Sequence, residues 1–166
     1  MSLVVEDGTG KTDAQSYVSL ADANAYHTTR GNTAWTGTDA EKEAALIRAT
    51  EFLDGRLFCR WPGLKYSTTQ ALEWPRIDAL DSDGEDISES IPAGLVKATC
   101  EAALVEIASP RGLGASPNEN GTLLAETEGG QSKTYAPGML PSVPPEVMRP
   151  LYRLLRPAGI MKVVRA

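Results

Sequence analysis

The stretch from Pro92 to Ala108 restricts the fold of this chain more than any other. Val96, Cys100, Leu104 and Ile107 recur along one helical stripe, and Leu95, Ala98, Ala102 and Val105 along a second. Lys97 and Glu101 define a narrow polar edge. A helix that is apolar over most of its circumference has to be surrounded, so the pattern predicts a central helix enclosed by other elements. Its small residues let those neighbours approach closely. Pro92 suits the first turn, and Pro110 stops the far end.

Two further helices are predicted to do the surrounding. Ser19 and Asp22 form an N-terminal capping pair for a helix from Leu20 to about Thr29, stopped at Gly31. Leu20, Ala23 and Tyr26 form its inner side. His27, the only histidine, lies beside that stripe with no cysteine or carboxylate cluster near it, and is expected on the helix surface. Thr38 and Glu41 form a second capping box, for a helix from Asp39 to about Asp54 that Gly55 ends. Leu46, Ala49, Phe52 and Leu53 face the core, while Lys42, Arg48 and Glu51 face solvent. Trp35 closes over the start of this helix.

The helical halves are joined by Thr69-Gln70-Ala71-Leu72-Glu73-Trp74-Pro75-Arg76. Pro75 fixes its own φ and pushes Trp74 into an extended conformation. On a strand Leu72 and Trp74 share one face, with Gln70 and Arg76 at the ends of the alternation. Trp74 is therefore expected to anchor the core, burying about 150–250 Å². The other reading of Trp74 is a platform for stacking nucleic-acid bases.

Residues 109–142 are rich in Gly, Pro, Ser, Asn and Thr and lack helical periodicity. Within them, Thr122 to Ala125 and Lys133 to Tyr135 are placed to pair as a hairpin across Glu128-Gly129-Gly130-Gln131. A short helix is predicted from Glu146 to Arg156, with Pro150 in or breaking its first turn. The tail after Pro157-Ala158-Gly159 is apolar and basic. The expected fold is thus mainly α: a small bundle of three core helices, a short β-hairpin insertion and an extended C-terminal arm. It divides into a helical core with an N-terminal arm (1–108), a loop or hairpin insertion (109–143), and a C-terminal helix with a docking arm (144–166).

Several chemistries fail on inspection. Gly8-Thr9-Gly10-Lys11-Thr12 resembles the end of a phosphate-binding loop, but the first glycine that motif requires is replaced by Val5. Residues 6–13 therefore read as a flexible polar arm. Asp78 to Glu89 holds six acids and no base. Setting Gly84 at the glycine position of a calcium loop puts Ala79 at the first ligand position and Ser90 at the last, so the register fails. Asp83-Gly84 reads instead as a hairpin turn. Cys59 and Cys100 suit a reducing cytoplasm as buried inert thiols. No apolar run approaches the roughly 18 residues of a membrane span, and the N-terminus has no basic or apolar export signal. No catalytic set, metal cluster or cofactor fingerprint is present, so neither enzyme activity nor a cofactor is expected.

Residues 16–30 (SYVSLADANAYHTTR), the QALEWPR segment, Asp81-Ser82-Asp83-Gly84 and Ile91-Pro92 together resemble a phage family usually labelled "DnaT-like single-stranded DNA-binding protein". Others of similar pattern are head–tail connector proteins of tailed phages. The resemblance covers residues 1–108 well and the last third loosely. It implies one of two non-enzymatic roles. In the first, the chain is a structural head–tail adaptor in the virion neck, assembled in the host cytoplasm. About twelve copies would form a ring under the portal protein, carry the DNA channel, and offer a surface to other neck or tail proteins. In the second, it is a single-stranded DNA-binding protein of phage DNA metabolism.

Charge distribution favours the first role. The net charge is −6 over 166 residues. From Glu146 onward there are five bases against one acid, a net of +4, which leaves −10 for the first 145 residues. Phosphate binding draws on Lys and Arg, and an acidic body suits a wall past which DNA slides. On the adaptor reading, Tyr152, Leu154, Leu155 and Arg156 with Met161, Val163 and Val164 form the portal-docking arm. Asp81, Asp83, Glu85 and Asp86 then face the DNA channel. On the DNA-binding reading, the mixed aromatic and basic span Arg56 to Tyr66 forms the groove, with Arg60, Trp61 and Lys65 as contacts.

Overall fold

A computed structural model describes residues 3–114 and 143–156, and the backbone of 123–127 and 132–135. The chain is mainly helical, and the described residues form four helices: α1 (Leu20–Thr29), α2 (Asp39–Leu57), α3 (Ala93–Ala108) and α4 (Pro145–Met148). Strands β1 (Leu64–Lys65) and β2 (Arg76–Ile77) pair antiparallel, as do β3 (Leu123–Thr127) and β4 (Ser132–Tyr135). The second pair is the hairpin expected in the insertion. No helix among the described residues is long and apolar enough to cross a membrane.

The caps form as their residues dictate. Ser19 Oγ accepts the Asp22 N–H at 3.1 Å. Thr38 Oγ1 accepts from the Glu41 N–H at 3.3 Å, and Glu41 Oε2 accepts from the Thr38 N–H at 2.7 Å. Each such cap contributes about 1 kcal/mol. Gly55 does not end α2, which continues to Leu57. Leu57 extends the buried row Leu46, Ala49 and Leu53, and this packing outweighs the modest helix cost of one glycine.

α3 is the centre, as its pattern requires. It packs most extensively on α2, and α1, α4 and the 3-10 turn Arg149–Leu151 also lie against it. Gly94 lets that turn pass close, since a Cβ there would collide with the Pro150 carbonyl. The apolar surround includes two polar side chains that the stripe pattern did not mark. Thr99 donates to the Leu95 carbonyl at 2.9 Å within its own helix. Glu106 is buried and takes the Arg48 Nε–H at 2.9 Å and the backbone N–H groups of Arg111 and Leu113. Arg48 therefore does not simply face solvent: it pairs with a buried carboxylate while its side chain stays 32% exposed.

His27 is also buried, at 1% exposure. Trp35 folds back over α1, donates its Nε1–H to Asn24 Oδ1 at 2.7 Å and stacks on the imidazole at 4.4 Å. Asn32 donates to His27 Nδ1 at 3.0 Å. Removal from water pushes the imidazole below its ordinary pKa, which keeps it neutral.

The joining segment forms a polar node inside the core. Only Arg76 and Ile77 reach a strand ladder, so the expected strand over the whole segment is absent. The alternation survives: Gln70, Leu72 and Trp74 are buried, Ala71 is exposed and Glu73 half-buried. Gln70 replaces the ladder, donating to the carbonyls of Leu72 at 2.8 Å and Pro75 at 3.0 Å. The Trp74-Pro75 peptide is cis. Tyr17 Oη donates to Asp54 at 2.7 Å and accepts the Trp74 N–H at 3.2 Å, which ties α2 to the segment. Arg76 is fully engaged: Nε bonds the Pro62 carbonyl at 2.6 Å, Nη1 bonds Glu73 Oε2 at 2.9 Å, and Nη2 bonds the Gly63 carbonyl at 3.2 Å. Trp74 is fully buried and meets Trp61 edge-to-face at 5.9 Å, so it is a core anchor and not a stacking platform.

Residues 6–13 are an ordered loop, contrary to the flexible arm expected. Val5 bridges Ser16, and the Ala71 N–H bonds the Lys11 carbonyl at 2.9 Å. The buried Glu6 carboxylate accepts the N–H groups of Gly8 and Gly10 at 2.9 Å and of Lys11 at 2.8 Å. The backbone cradle that resembles a phosphate loop is filled by the chain's own carboxylate.

Candidate nucleic-acid interface

Two turns carry the surface of interest, and both arise the same way. Leu57 ends α2 in the core and Trp61 returns to it, each 2% exposed. The three residues between them are forced outward, with the Arg60 N–H closing on the Leu57 carbonyl at 2.8 Å. Phe58 is therefore 65% exposed, next to exposed Cys59. In the C-terminal segment Leu151, Leu154 and Leu155 are buried, and the intervening Tyr152 is 60% exposed beside exposed Arg153. Pro150 cannot continue α4 as an α-helix, so the predicted Glu146–Arg156 helix is one short helix, a 3-10 turn and a further turn.

The two turns are stitched together. The Arg156 N–H donates to the Arg60 carbonyl at 2.8 Å, and Arg60 Nε donates to the Arg156 carbonyl at 3.3 Å. Arg60 lies between two clefts. One, of about 330 Å³, is lined by Arg56, Leu57, Arg60, Val143 and Met148. The other, of about 420 Å³, includes Arg60, Leu80, Asp81, Tyr152, Arg153 and Arg156. Arg56, Arg60, Arg153 and Arg156 thus line the two clefts, with the exposed ring of Tyr152 in the second and that of Phe58 on the turn that carries Arg60. Among the described residues, Arg153 alone of these four has a carboxylate within ion-pair distance: Asp81 at 3.5 Å and Asp83. Guanidinium groups offer forked donors to phosphate, and aromatic faces accept bases by stacking.

The structure redistributes the residues singled out from sequence. Arg60 lies on this surface. Trp61 is in the core against Trp74, because Pro62 and the Arg76 node draw its turn inward. Lys65 lies in β1, half-buried, 3.5 Å from Glu73. Tyr152 and Arg156 are on the surface, but Leu154 and Leu155 pack into the chain's own core and leave no free apolar arm there. Met161, Val163 and Val164 lie outside the described residues. Asp81 and Asp83 approach Arg153, while Glu85 and Asp86 are exposed. The Ser88 hydroxyl and N–H hold the Asp86 carboxyl below its usual pKa. Cys100 is buried and its thiol pushed up to about 12, whereas Cys59 is exposed, against expectation.

Sequence reading marked Arg56 and Phe58 only as members of a mixed span. The signal that separates Phe58 from Trp61 was present: Leu46, Leu53 and Leu57 continue one helical stripe past Gly55, and Phe58 falls off it. Arg153 appeared only in the charge sum, since nothing local places it against the acidic loop.

Over residues 1–166 the chain matches the family described as "Putative DnaT-like ssDNA binding protein". No curated protein and no solved structure matches it. The match accords with the second of the two roles that the sequence suggested. It gives no support to a head–tail connector.

Proposed function

Because the chain belongs to this DnaT-like ssDNA-binding family over its whole length, we propose that it binds single-stranded DNA on the arginine–aromatic surface. The observation that carries the reading is the pair of stitched turns. They place arginines around two clefts that share Arg60, with the exposed Tyr152 ring in one of them and exposed Phe58 on the turn beside Arg60. Arg56, Arg60 and Arg156 contact phosphates, and Tyr152 and Phe58 stack on bases. The role is one of binding, without catalysis.

Fluorescence anisotropy with labelled oligo-dT at several salt concentrations tests this. Wild type binds with an affinity that falls as salt rises. Tyr152→Ala and Arg56→Ala each weaken binding about tenfold, in keeping with the loss of one stacking or phosphate contact. Absence of binding at low salt, or binding indifferent to both substitutions, overturns the proposal.

A second reading, the head–tail adaptor with a portal protein as partner, keeps the acidic body in its favour, −10 over residues 1–145. Finding the chain in purified virions at about the portal's copy number would restore it.

A further inference from the structure

The loop Asp81–Asp86 reaches the rim of the cleft that holds Tyr152 and Arg156. It is built to stand there without help from Arg153's side chain. Leu80 bridges Asp86, and the Asp81 N–H bonds the Glu85 carbonyl at 3.0 Å. Asp81 Oδ1 accepts the N–H groups of Asp83 at 2.8 Å and Glu85 at 3.0 Å. The Ser82 N–H bonds the Arg153 carbonyl at 2.8 Å, which fixes loop and cleft together. The atoms left over, Asp81 Oδ2 and the Asp83 carboxylate, both meet the Arg153 guanidinium.

Resting on the single-strand reading, we infer that Asp83, supported by Asp81, is a built-in stand-in for a DNA phosphate. It occupies Arg153 and so sets the affinity and salt dependence of the cleft. The geometry suits replacement by an incoming phosphate. Arg153 and Asp83 are exposed, at 65% and 59%, so water screens their attraction and the pair is easily exchanged. The loop itself stays pinned by Asp81 and Ser82 when the pair opens. Free Arg153 adds one phosphate contact; held by Asp83, it must first give up a carboxylate.

The test compares wild type, Asp83→Asn, Arg153→Ala and the double variant, titrated with oligo-dT from low to high salt. Asp83→Asn is chosen over an Asp81 variant because Asp81 also holds the loop. Asp83→Asn is expected to bind about two- to fivefold tighter at low salt. Its plot of log affinity against log salt is expected to steepen by about 0.7, one single-strand phosphate contact. The double variant returns to the level of Arg153→Ala. If Asp83→Asn changes neither quantity while Tyr152-dependent binding persists, the inference fails and the binding reading stands. A gain that survives in the double variant also overturns it, since the acid would then act by general charge. If none of the four proteins binds, both fail together.

Discussion

Two regions of this molecule use the same side chains to opposite ends. The node around Arg76 and the surface around Arg60 each combine arginine with aromatic rings. In the node, three guanidinium nitrogens of Arg76 reach carbonyls of the chain or the Glu73 carboxylate, and Trp74 and Trp61 fill the core. At the surface, Arg60 makes one bond to the Arg156 carbonyl, and Phe58 and Tyr152 stand in solvent. The difference lies in what surrounds each residue. Where free backbone carbonyls converge, arginine becomes part of the scaffold. Where the backbone is already satisfied by a turn, its donors remain for a ligand.

The widest separation is expected from a pair of substitutions. Trp74→Ala removes a fully buried ring and is expected to cost about 3–5 kcal/mol in urea unfolding. Tyr152→Ala should stay within about 0.5 kcal/mol of wild type, its effect confined to DNA binding. Equal losses of stability would break the comparison.

A smaller effect comes from Asp54, the half-buried acid of the node. Burial raises its carboxyl from 3.8 to about 6. Between those values the folded chain keeps a proton that the unfolded chain has released, so its contribution to stability falls as pH rises through the window. Asp54→Asn removes that dependence. From pH 4 to 7, wild type should lose about 1 kcal/mol relative to the variant, the half-exposed position limiting the size. His27 acts in the opposite sense. Its lowered pKa means stability is lost as pH falls below the ordinary histidine value, but it is common to both proteins and cancels in the difference. Urea unfolding at several pH values reads this, and a flat difference would remove Asp54 from the node's energetics.

The smallest effect sharpens where the surface begins. Gly55 lies inside α2 and a Cβ there would touch nothing within 4 Å. Gly55→Ala should raise stability by about 0.5–1 kcal/mol without altering oligo-dT affinity. A drop in affinity would mean that the turn at Phe58 needs a yielding helix end.

Much of the scaffold was legible in sequence because it is local. Capping pairs, the apolar circumference of α3 and the turn at Asp83-Gly84 act over a few residues, and their patterns carry over directly. What was missed depends on partners far along the chain. His27 is buried by Trp35, Arg48 turns in to Glu106, and Leu154 and Leu155 find room because Gly94 lets Pro150 approach. The candidate site combines both kinds. Residues 56–60 drew notice for their composition, but their partnership with Arg153 and Arg156 spans most of the chain and has no local trace.

That partnership also bears on when the surface comes into being. Arg60 and Arg156 are 96 positions apart, yet each supplies a backbone acceptor to the other. A growing chain can assemble α1, α2 and α3 while still on the ribosome. It cannot complete the cleft until residues 145–156 have emerged and docked on α3. Contacts between such distant residues form late and slowly. Nascent chains would then hold no finished groove, and engagement with DNA would wait for the fully docked molecule.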